Sequence, residues 1–154
     1  MISFDIRQAA LSDLLYIAEL VRSTILEVYP RYYPAGAVEY FLSHHNNRAI
    51  AEDISAGRVF VAEGEELFGT VTVKENEICR LFVLPRYQRN GIGRALMELA
   101  EERISAVYPE ARLDASFPAK RIYLRRGYRE TDSHEITAEN GDVLFYDEMS
   151  RTLK

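Results

Sequence analysis

The chain has 154 residues, of which 47% are hydrophobic and 28% are charged, a composition typical of one globular domain. Its net charge of -5 argues against a nucleic-acid-binding protein, and its single cysteine excludes an internal disulfide and a cysteine-rich metal site. Because the first residues lack a signal-peptide layout and no apolar run approaches the roughly 20 residues that span a bilayer, we expect a cytoplasmic protein without a membrane partner.

The amino-terminal residues predict a strand followed by a long helix. Apolar and polar residues alternate over positions 2–7, which is typical of a half-buried strand. Ser12 and Asp13 then favour a helix start, and the apolar residues that follow fall on one helical face. This helix is predicted to end before Pro30.

Two further helical segments follow in the sequence. Residues 35–47 return to helical spacing, and residues 50–56 predict a short additional helix. Neighbouring histidines point in different directions on a helix, so His44 and His45 cannot chelate one metal. We therefore interpret both as exposed residues at a helix end.

The middle of the chain predicts three strands in a meander. Apolar segments at 58–63 and 67–73 flank a short turn, and a second turn leads into an apolar run that begins at Glu77. Pro85 cannot donate to a sheet ladder, so this third strand should stop there.

The glycines that follow this strand predict an anion site. Gly91 and Gly93 open a segment with helical spacing that ends near Pro109. The first N–H groups of a helix lack partners and carry partial positive charge, and glycine lets a diphosphate approach the backbone closely. A plain turn from strand to helix is the alternative.

The carboxyl-terminal third predicts three more strands and one more helix. A strand at 111–115 is followed by a helix at 118–126, and two last strands at 128–135 and 143–149 are joined by a turn. The pattern shows no repeat and no linker, so we expect one α/β domain over residues 1–154.

The glycine segment has the spacing of a known family. It lacks the Gly-Lys-Ser/Thr ending of a nucleotide P-loop and the third glycine of the dinucleotide fingerprint. Instead it resembles the signature motif of the GCN5-related N-acetyltransferase (GNAT) family, which binds acetyl-coenzyme A. The residues that carry the resemblance are Val83, Pro85 and the run Gln88-Arg89-Asn90-Gly91-Ile92-Gly93-Arg94. An ATP site is disfavoured because no phosphate-binding lysine is placed for it.

A second stretch, residues 122–128, supports the same resemblance. It is similar to the family's pattern of a helix, a tyrosine and then Gly-aromatic, with Tyr123 in the position that lies by the thioester sulfur. The resemblance implies a mixed central sheet of about seven strands flanked by about four helices. It also implies acetyl-CoA as co-substrate and no metal.

The resemblance further implies which residues hold acetyl-CoA. Backbone groups on the third strand of the meander should contact the pantetheine arm and the acetyl group, and the glycine segment should hold the diphosphate. Ser116 stands where many members carry asparagine, so we expect a weaker contact there, with a helix cap as the alternative. The full set is Leu81, Phe82, Val83, Arg89, Asn90, Gly91, Ile92, Gly93, Arg94 and Ser116.

Two side chains and one backbone amide are candidates for catalysing the acetyl transfer. Tyr123 can donate a proton to the departing sulfur, and the Val83 N–H is a fixed donor for the oxyanion. Glu77 lies where the histone-acetylating branch of the family carries its general base. It would share a strand face with Val83 unless a bulge intervenes, and an exposed charge at a strand start is the alternative.

The acceptor and the physiological role are less determined by the sequence. We expect direct transfer to a primary amine of a small molecule, peptide or protein, and the alternative is a non-catalytic acyl-CoA sensor. Cys79 is interpreted as a packing residue, because no base lies near it in sequence. The aromatic segment 29–34 is either a rigid connector or, as in the family, a wall of the acceptor pocket. A homodimer through the last two strands is compatible with the pattern.

Overall fold

The computed structural model describes residues 2–153, and within them one mixed sheet of seven strands is flanked by five α-helices. The strands are β1 (Asp5–Gln8), β2 (Val59–Glu63), β3 (Leu67–Lys74), β4 (Glu77–Val83), β5 (Glu110–Ala115), β6 (Arg129–Thr137) and β7 (Val143–Thr152). The helices are α1 (Leu14–Val28), α2 (Ala35–His44), α3 (Asn47–Ser55), α4 (Ile92–Ser105) and α5 (Phe117–Arg125).

The strand order is β1-β2-β3-β4-β5-β7-β6, and β4 with β5 is the parallel pair among otherwise antiparallel neighbours of the described chain. The predicted fold class is therefore confirmed. The short helix predicted at 50–56 is α3, which begins earlier, where the Asn46 side chain accepts a hydrogen bond from the Ala49 N–H. β1 is shorter than the predicted strand and starts at Asp5.

The two faces of the sheet are covered by different helices. On one face the ring of Phe82 in β4 lies 6.2 Å from the ring of Tyr29, which follows α1. On the other face a Cβ added at Gly69 would lie 3.1 Å from Leu96 of α4. Successive side chains of a strand therefore pack into two apolar layers, one under α1 and one under α4. No helix of residues 2–153 is long and apolar enough to cross a membrane.

A β-bulge interrupts β4 near its middle. Thr72 pairs with Cys79 and Thr70 pairs with Phe82, so three steps along β4 match two along β3. Arg80 lies in the bulge with φ of 48°. The extra residue reverses the alternation of side chains, so Glu77 and Val83 lie on opposite faces. The expected shared face depended on an unbulged strand, and β4 does not meet that condition.

The bulge coincides with an opening in the sheet. Among the described residues, β4 and β5 are in register only at Glu77 and Arg112, next to the hydrogen bond from the Arg112 N–H to the Asn76 carbonyl. Beyond this point the strands separate, and their backbone edges have no strand partner toward each other. An unpaired edge inside a sheet can accept an extended ligand as an added strand.

His45 departs from the prediction that both histidines are exposed. His44 is exposed, but His45 is half-buried, with its ring 5.5 Å from that of Phe82. Its Nδ1 accepts a hydrogen bond from the Arg80 Nε at 3.2 Å. Burial first, and then the charges of Arg80 and His44, lower the pKa of His45 to about 3. The ring is therefore neutral at physiological pH.

This lowered pKa predicts a loss of stability in acid. An unfolded histidine takes up a proton near pH 6.5, whereas folded His45 resists it until about pH 3, so the free energy of unfolding should fall as pH drops through this window. One proton corresponds to at most about 1.4 kcal/mol per pH unit. His45→Gln keeps an acceptor that does not titrate.

Urea unfolding at several pH values checks the prediction. Relative to the parent chain, His45→Gln should show a weaker dependence of unfolding free energy on pH between about pH 6 and pH 4. His44→Gln, at the exposed neighbouring position, serves as the control and should follow the parent. Parallel pH dependences for the parent and His45→Gln would contradict the assignment.

Candidate active site

The turn before α4 has the backbone that an anion site needs. Arg89 and Gly91 adopt left-handed φ values of 66° and 80°, and α4 begins at Ile92 directly afterwards. No heavy atom lies within 4 Å of a Cβ built on Gly91, and a Cβ on Gly93 would meet only Val83 Cγ2, at 3.7 Å. The space beside these two glycines is therefore uncrowded, so a diphosphate can approach the backbone at the start of α4.

The side chains of this turn have different tasks. The Gln88 Nε2 donates to the Val83 carbonyl at 3.0 Å, which ties the turn to the end of β4. The Asn90 Nδ2 donates to the carbonyls of Tyr87 and Gln88, so this amide shapes the turn itself. Ile92 is buried in the core, and its backbone alone is available to a ligand. The turn is thus fixed without any ligand.

Arg89 and Arg94 bring positive charge to the same turn. Arg94 is exposed and its Nε lies 3.1 Å from a carboxylate oxygen of Glu98, one helical turn further on. Such exposed pairs contribute little and exchange readily with another anion. Arg89 is also exposed, so both guanidinium groups can contact a phosphate.

The edge of β4 that borders the opening carries a free donor. The Leu84 N–H donates to the Phe68 carbonyl of β3 at 2.9 Å. Because the hydrogen bonds of an antiparallel strand alternate sides, the Val83 N–H points the other way, toward β5. By the same alternation the Phe82 backbone faces β3, while Leu81 lies half-buried beside the bulge.

The end of β5 lies level with the bulge. Counted from the paired residues Glu77 and Arg112, Arg80 and Ala115 are both three residues along parallel strands. Ser116 follows Ala115 and occupies the position before α5, but its hydroxyl makes no capping hydrogen bond. It lies instead 3.5 Å from the hydroxyl of Tyr29. Its side chain is thus oriented toward Tyr29 rather than along α5.

Tyr123 supplies a third hydroxyl, after those of Ser116 and Tyr29. The residue is 7% exposed, and burial, with a smaller effect of Tyr29, raises its pKa. Its hydroxyl makes no hydrogen bond to residues 2–153. Because no fully enclosed polar side-chain atom of these residues lacks a partner, the hydroxyl oxygen keeps some access to solvent. A buried phenol without a protein partner keeps its proton at neutral pH and has it free to donate.

Glu77 lies at the end of the opening where β4 and β5 are still paired. Its carboxylate is half-buried and 3.7 Å from Arg112, and burial, opposed by that guanidinium, raises its pKa. The raised pKa makes it a better proton acceptor than an exposed carboxylate. Val83 is six residues away along β4, roughly 20 Å, so both cannot contact the same atoms.

Cys79 has the properties of a packing residue rather than a nucleophile. Burial, with a smaller contribution from Glu77, raises the pKa of its thiol to about 11. A thiol with this pKa is almost entirely protonated at neutral pH and is a poor nucleophile.

The sequence pointed to the aromatic segment without resolving its individual roles. Tyr29 connects the two sides of the opening, because its ring contacts Phe82 of β4 and its hydroxyl reaches Ser116 after β5. The Tyr33 hydroxyl accepts a hydrogen bond from the Phe117 N–H at 2.7 Å, and the two rings stack at 5.2 Å. Both contacts join positions more than 80 residues apart, which no local spacing rule reveals.

Comparison with known proteins identifies the class to which this fold and site belong. Residues 28–145 match the family model described as an acetyltransferase (GNAT) domain. This match covers most of the chain, and the chain therefore belongs to the GNAT acetyltransferase family. The predicted family and the predicted enzyme class, acetyl-CoA-dependent acyl transfer, are confirmed at this level.

Solved structures agree with this fold. A GCN5-related N-acetyltransferase from Rhodopseudomonas palustris is 21% identical, with a TM-score of 0.87 over 99% of this chain and 97% of the other. The PaiA N-acetyltransferase of Thermoplasma acidophilum, solved with coenzyme A, is 20% identical, with a TM-score of 0.76 over 98% and 99%. The ribosomal-protein-S18-alanine N-acetyltransferase of Escherichia coli is 16% identical, with a TM-score of 0.71 over 99% and 95%.

Proposed function

We propose that this protein transfers the acetyl group of acetyl-CoA to a primary amine by direct attack in a ternary complex. The observation that carries the proposal is the opening between β4 and β5, bordered by the Val83 N–H, with the glycine turn at its end. In parallel strands the carboxyl ends lie at one edge of the sheet, so the turn after β4 and the start of α5 are neighbours.

The glycine turn is proposed to bind the diphosphate of acetyl-CoA. The N–H groups at the start of α4 and the guanidinium groups of Arg89 and Arg94 supply the positive potential. The free edge of β4 at Leu81 and Val83 fits the amides of a pantetheine arm, and Ser116 offers one hydroxyl from the β5 side. The coenzyme A bound by the similar PaiA enzyme supports this choice of ligand.

The acetyl transfer needs an oxyanion donor and a proton for the leaving thiolate. Val83 is held in the ladder between β3 and β4, so its free N–H is oriented before the reaction and needs no reorganisation. Tyr123 has a protonated, unpartnered hydroxyl at neutral pH and is proposed to protonate the departing sulfur. The acceptor nitrogen then keeps the acetyl group, and the thiol leaves with the proton of Tyr123.

The amine must lose a proton before or during its attack. Alkylammonium groups have a pKa of about 10.4, so few are neutral at pH 7. Glu77 is proposed to receive this proton through water, because its distance from Val83 along β4 excludes direct contact at that end. Its raised pKa suits the task.

Glu77→Gln should therefore lower kcat by about tenfold and leave acetyl-CoA affinity unchanged. This is less than the roughly 100-fold that a directly placed acid or base contributes, because Glu77 is proposed to act through water. The loss should shrink at high pH, where more of the amine is already neutral. The pH–rate profiles of parent and variant check this. Glu135→Gln is the control, because Glu135 lies on β6, far from β4. If the pH–rate profile of Glu77→Gln superimposed on the parent's, another group would accept the proton.

The function itself is tested by thiol release from acetyl-CoA in the presence of an amine panel. Polyamines, amino acids, aminoglycosides and peptides with free amino termini cover the acceptor classes, and mass spectrometry identifies the acetylated product. We expect amine-dependent thiol release with one of these classes. Tight binding of acetyl-CoA without thiol release for any amine would support a binding module instead.

A further inference from the structure

Arg80 combines an unusual backbone with a buried charge. Its side chain is 7% exposed, although guanidinium groups are mostly found at the surface. Its φ of 48° places it in the left-handed region, at a bulge position that glycine usually occupies. A residue with a Cβ keeps such a conformation only where its surroundings hold it.

The surroundings of Arg80 come from three other elements. Its Nη1 lies 2.8 Å from an Asp53 carboxylate oxygen on α3 and 3.4 Å from the Thr72 hydroxyl on β3. Its Nε donates to His45 Nδ1, just after α2, at 3.2 Å. The Nε and Nη1 groups of Arg80 therefore both have partners, one of them a carboxylate, as a buried charge requires. We call this set of four residues the Arg80 network.

From this arrangement we infer that Arg80, held by Asp53 and His45, is a positioning residue that fixes the β4 bulge and so directs the Val83 N–H into the opening between β4 and β5. The inference rests on the proposed function, because it assigns that opening to acetyl-CoA.

The connection from Arg80 to Val83 follows from strand geometry. Moving or removing a bulge shifts the register of one strand by a residue, and a shift of one residue turns each N–H to the other edge. Without the bulge, the Val83 N–H would face β3 instead of β5. The Arg80 network fixes the bulge from the α1 side, whereas Val83 Cγ2 lies 3.7 Å from a Cβ built on Gly93, on the α4 side. Arg80 can thus act on the site without touching a ligand.

The test variant is Arg80→Gly. Glycine adopts the left-handed backbone without strain, so the variant removes the guanidinium while permitting the bulge. A displacement of reacting groups by 1 Å costs up to about 100-fold in rate, so we expect kcat/KM for acetyl-CoA to fall by about tenfold or more. Hydrogen exchange of the amides of β4 should become faster, since the strand is no longer held in one register.

Asp53→Asn and Arg58→Gln give a matched pair on the same carboxylate. Asp53 pairs both with Arg80 at 2.8 Å and with Arg58 at 3.4 Å, but Arg58 has no bond to β4. Asp53→Asn should reproduce the loss of kcat/KM, and combining it with Arg80→Gly should add little, because both remove one interaction. Arg58→Gln should keep the parent's kcat/KM.

The outcomes separate this inference from the proposed function. A parent chain that neither binds nor consumes acetyl-CoA would contradict the proposed function, and exchange of the β4 amides would still test the network. An active parent with Arg80→Gly and Asp53→Asn within about twofold of it would overturn the inference. Equal losses for Arg58→Gln and Asp53→Asn would also overturn it, since the effect would then reflect general stability.

Discussion

Tyr123→Phe is expected to lower kcat by about 100-fold and to leave the dissociation constant of acetyl-CoA within a few-fold. The substitution keeps the buried ring and removes only a hydroxyl that has no hydrogen-bond partner in residues 2–153. Stability should therefore change little, because no protein group loses a partner. The loss should appear with an acceptor for which chemistry, rather than product release, limits turnover.

Tyr128→Phe provides the matched control for this substitution. Tyr128 is also buried, its ring lies 5.9 Å from that of Tyr123, and its hydroxyl donates to Glu101 at 2.7 Å. Removing that hydroxyl should lower the melting temperature and leave kcat nearly unchanged, the reverse of the Tyr123 result. Turnover of Tyr123→Phe at the parent's rate would show that the sulfur is protonated from elsewhere.

Gly93→Asp is expected to abolish acetyl-CoA binding with the fold retained. The added carboxylate would place a negative charge at the start of α4, where the diphosphate is proposed to bind. Gly93 is the better position for the test than Gly91, because Gly91 has φ of 80° and a side chain there would strain the turn by itself. Calorimetry gives the affinity and thermal unfolding reports the fold.

Gly93→Ala separates the size of the new side chain from its charge. Its Cβ would lie 3.7 Å from Val83 Cγ2, an ordinary contact, so the variant should be at least as stable as the parent. It should still weaken acetyl-CoA binding, because the added methyl group occupies space beside the backbone. If a folded Gly93→Asp variant bound acetyl-CoA with full affinity, the assignment of the diphosphate to this turn would be wrong.

The sequence predicted those parts of the site that depend on local patterns. The end of β4 before Pro85 and the start of α4 after Gly91 follow from single residues with restricted backbones, and both appear as expected. The seven strands and their positions along the chain follow from short apolar or alternating segments. The helices between them follow from hydrophobic residues at helical spacing. These signals need no knowledge of distant contacts.

The bulge in β4 could not be predicted from the sequence. Cys79-Arg80-Leu81 contains no glycine, although glycine is the usual residue at a left-handed bulge position. The conformation is held by Asp53 and His45, which lie 27 and 35 residues earlier in the chain. Whether Glu77 and Val83 share a face therefore depends on a bulge that long-range contacts accompany, and local alternation alone does not reveal it.

The contacts of Tyr29 were beyond the sequence for the same reason. Its hydroxyl meets Ser116, which is 87 residues further along the chain, and this contact exists only once the sheet has assembled. The sequence marked the aromatic segment as notable, and the fold shows which of its rings border the opening. Side chains that converge from distant elements leave no spacing to detect.

The most direct measurement is an amide chemical-shift map of the chain titrated with coenzyme A. We expect the largest shifts on the N–H groups of residues 89–94 and of Val83, with smaller shifts at Ser116. Saturable shifts confined to these positions would place the ligand in the opening between β4 and β5. Binding that leaves the Val83 and Gly93 amides unshifted would contradict the account.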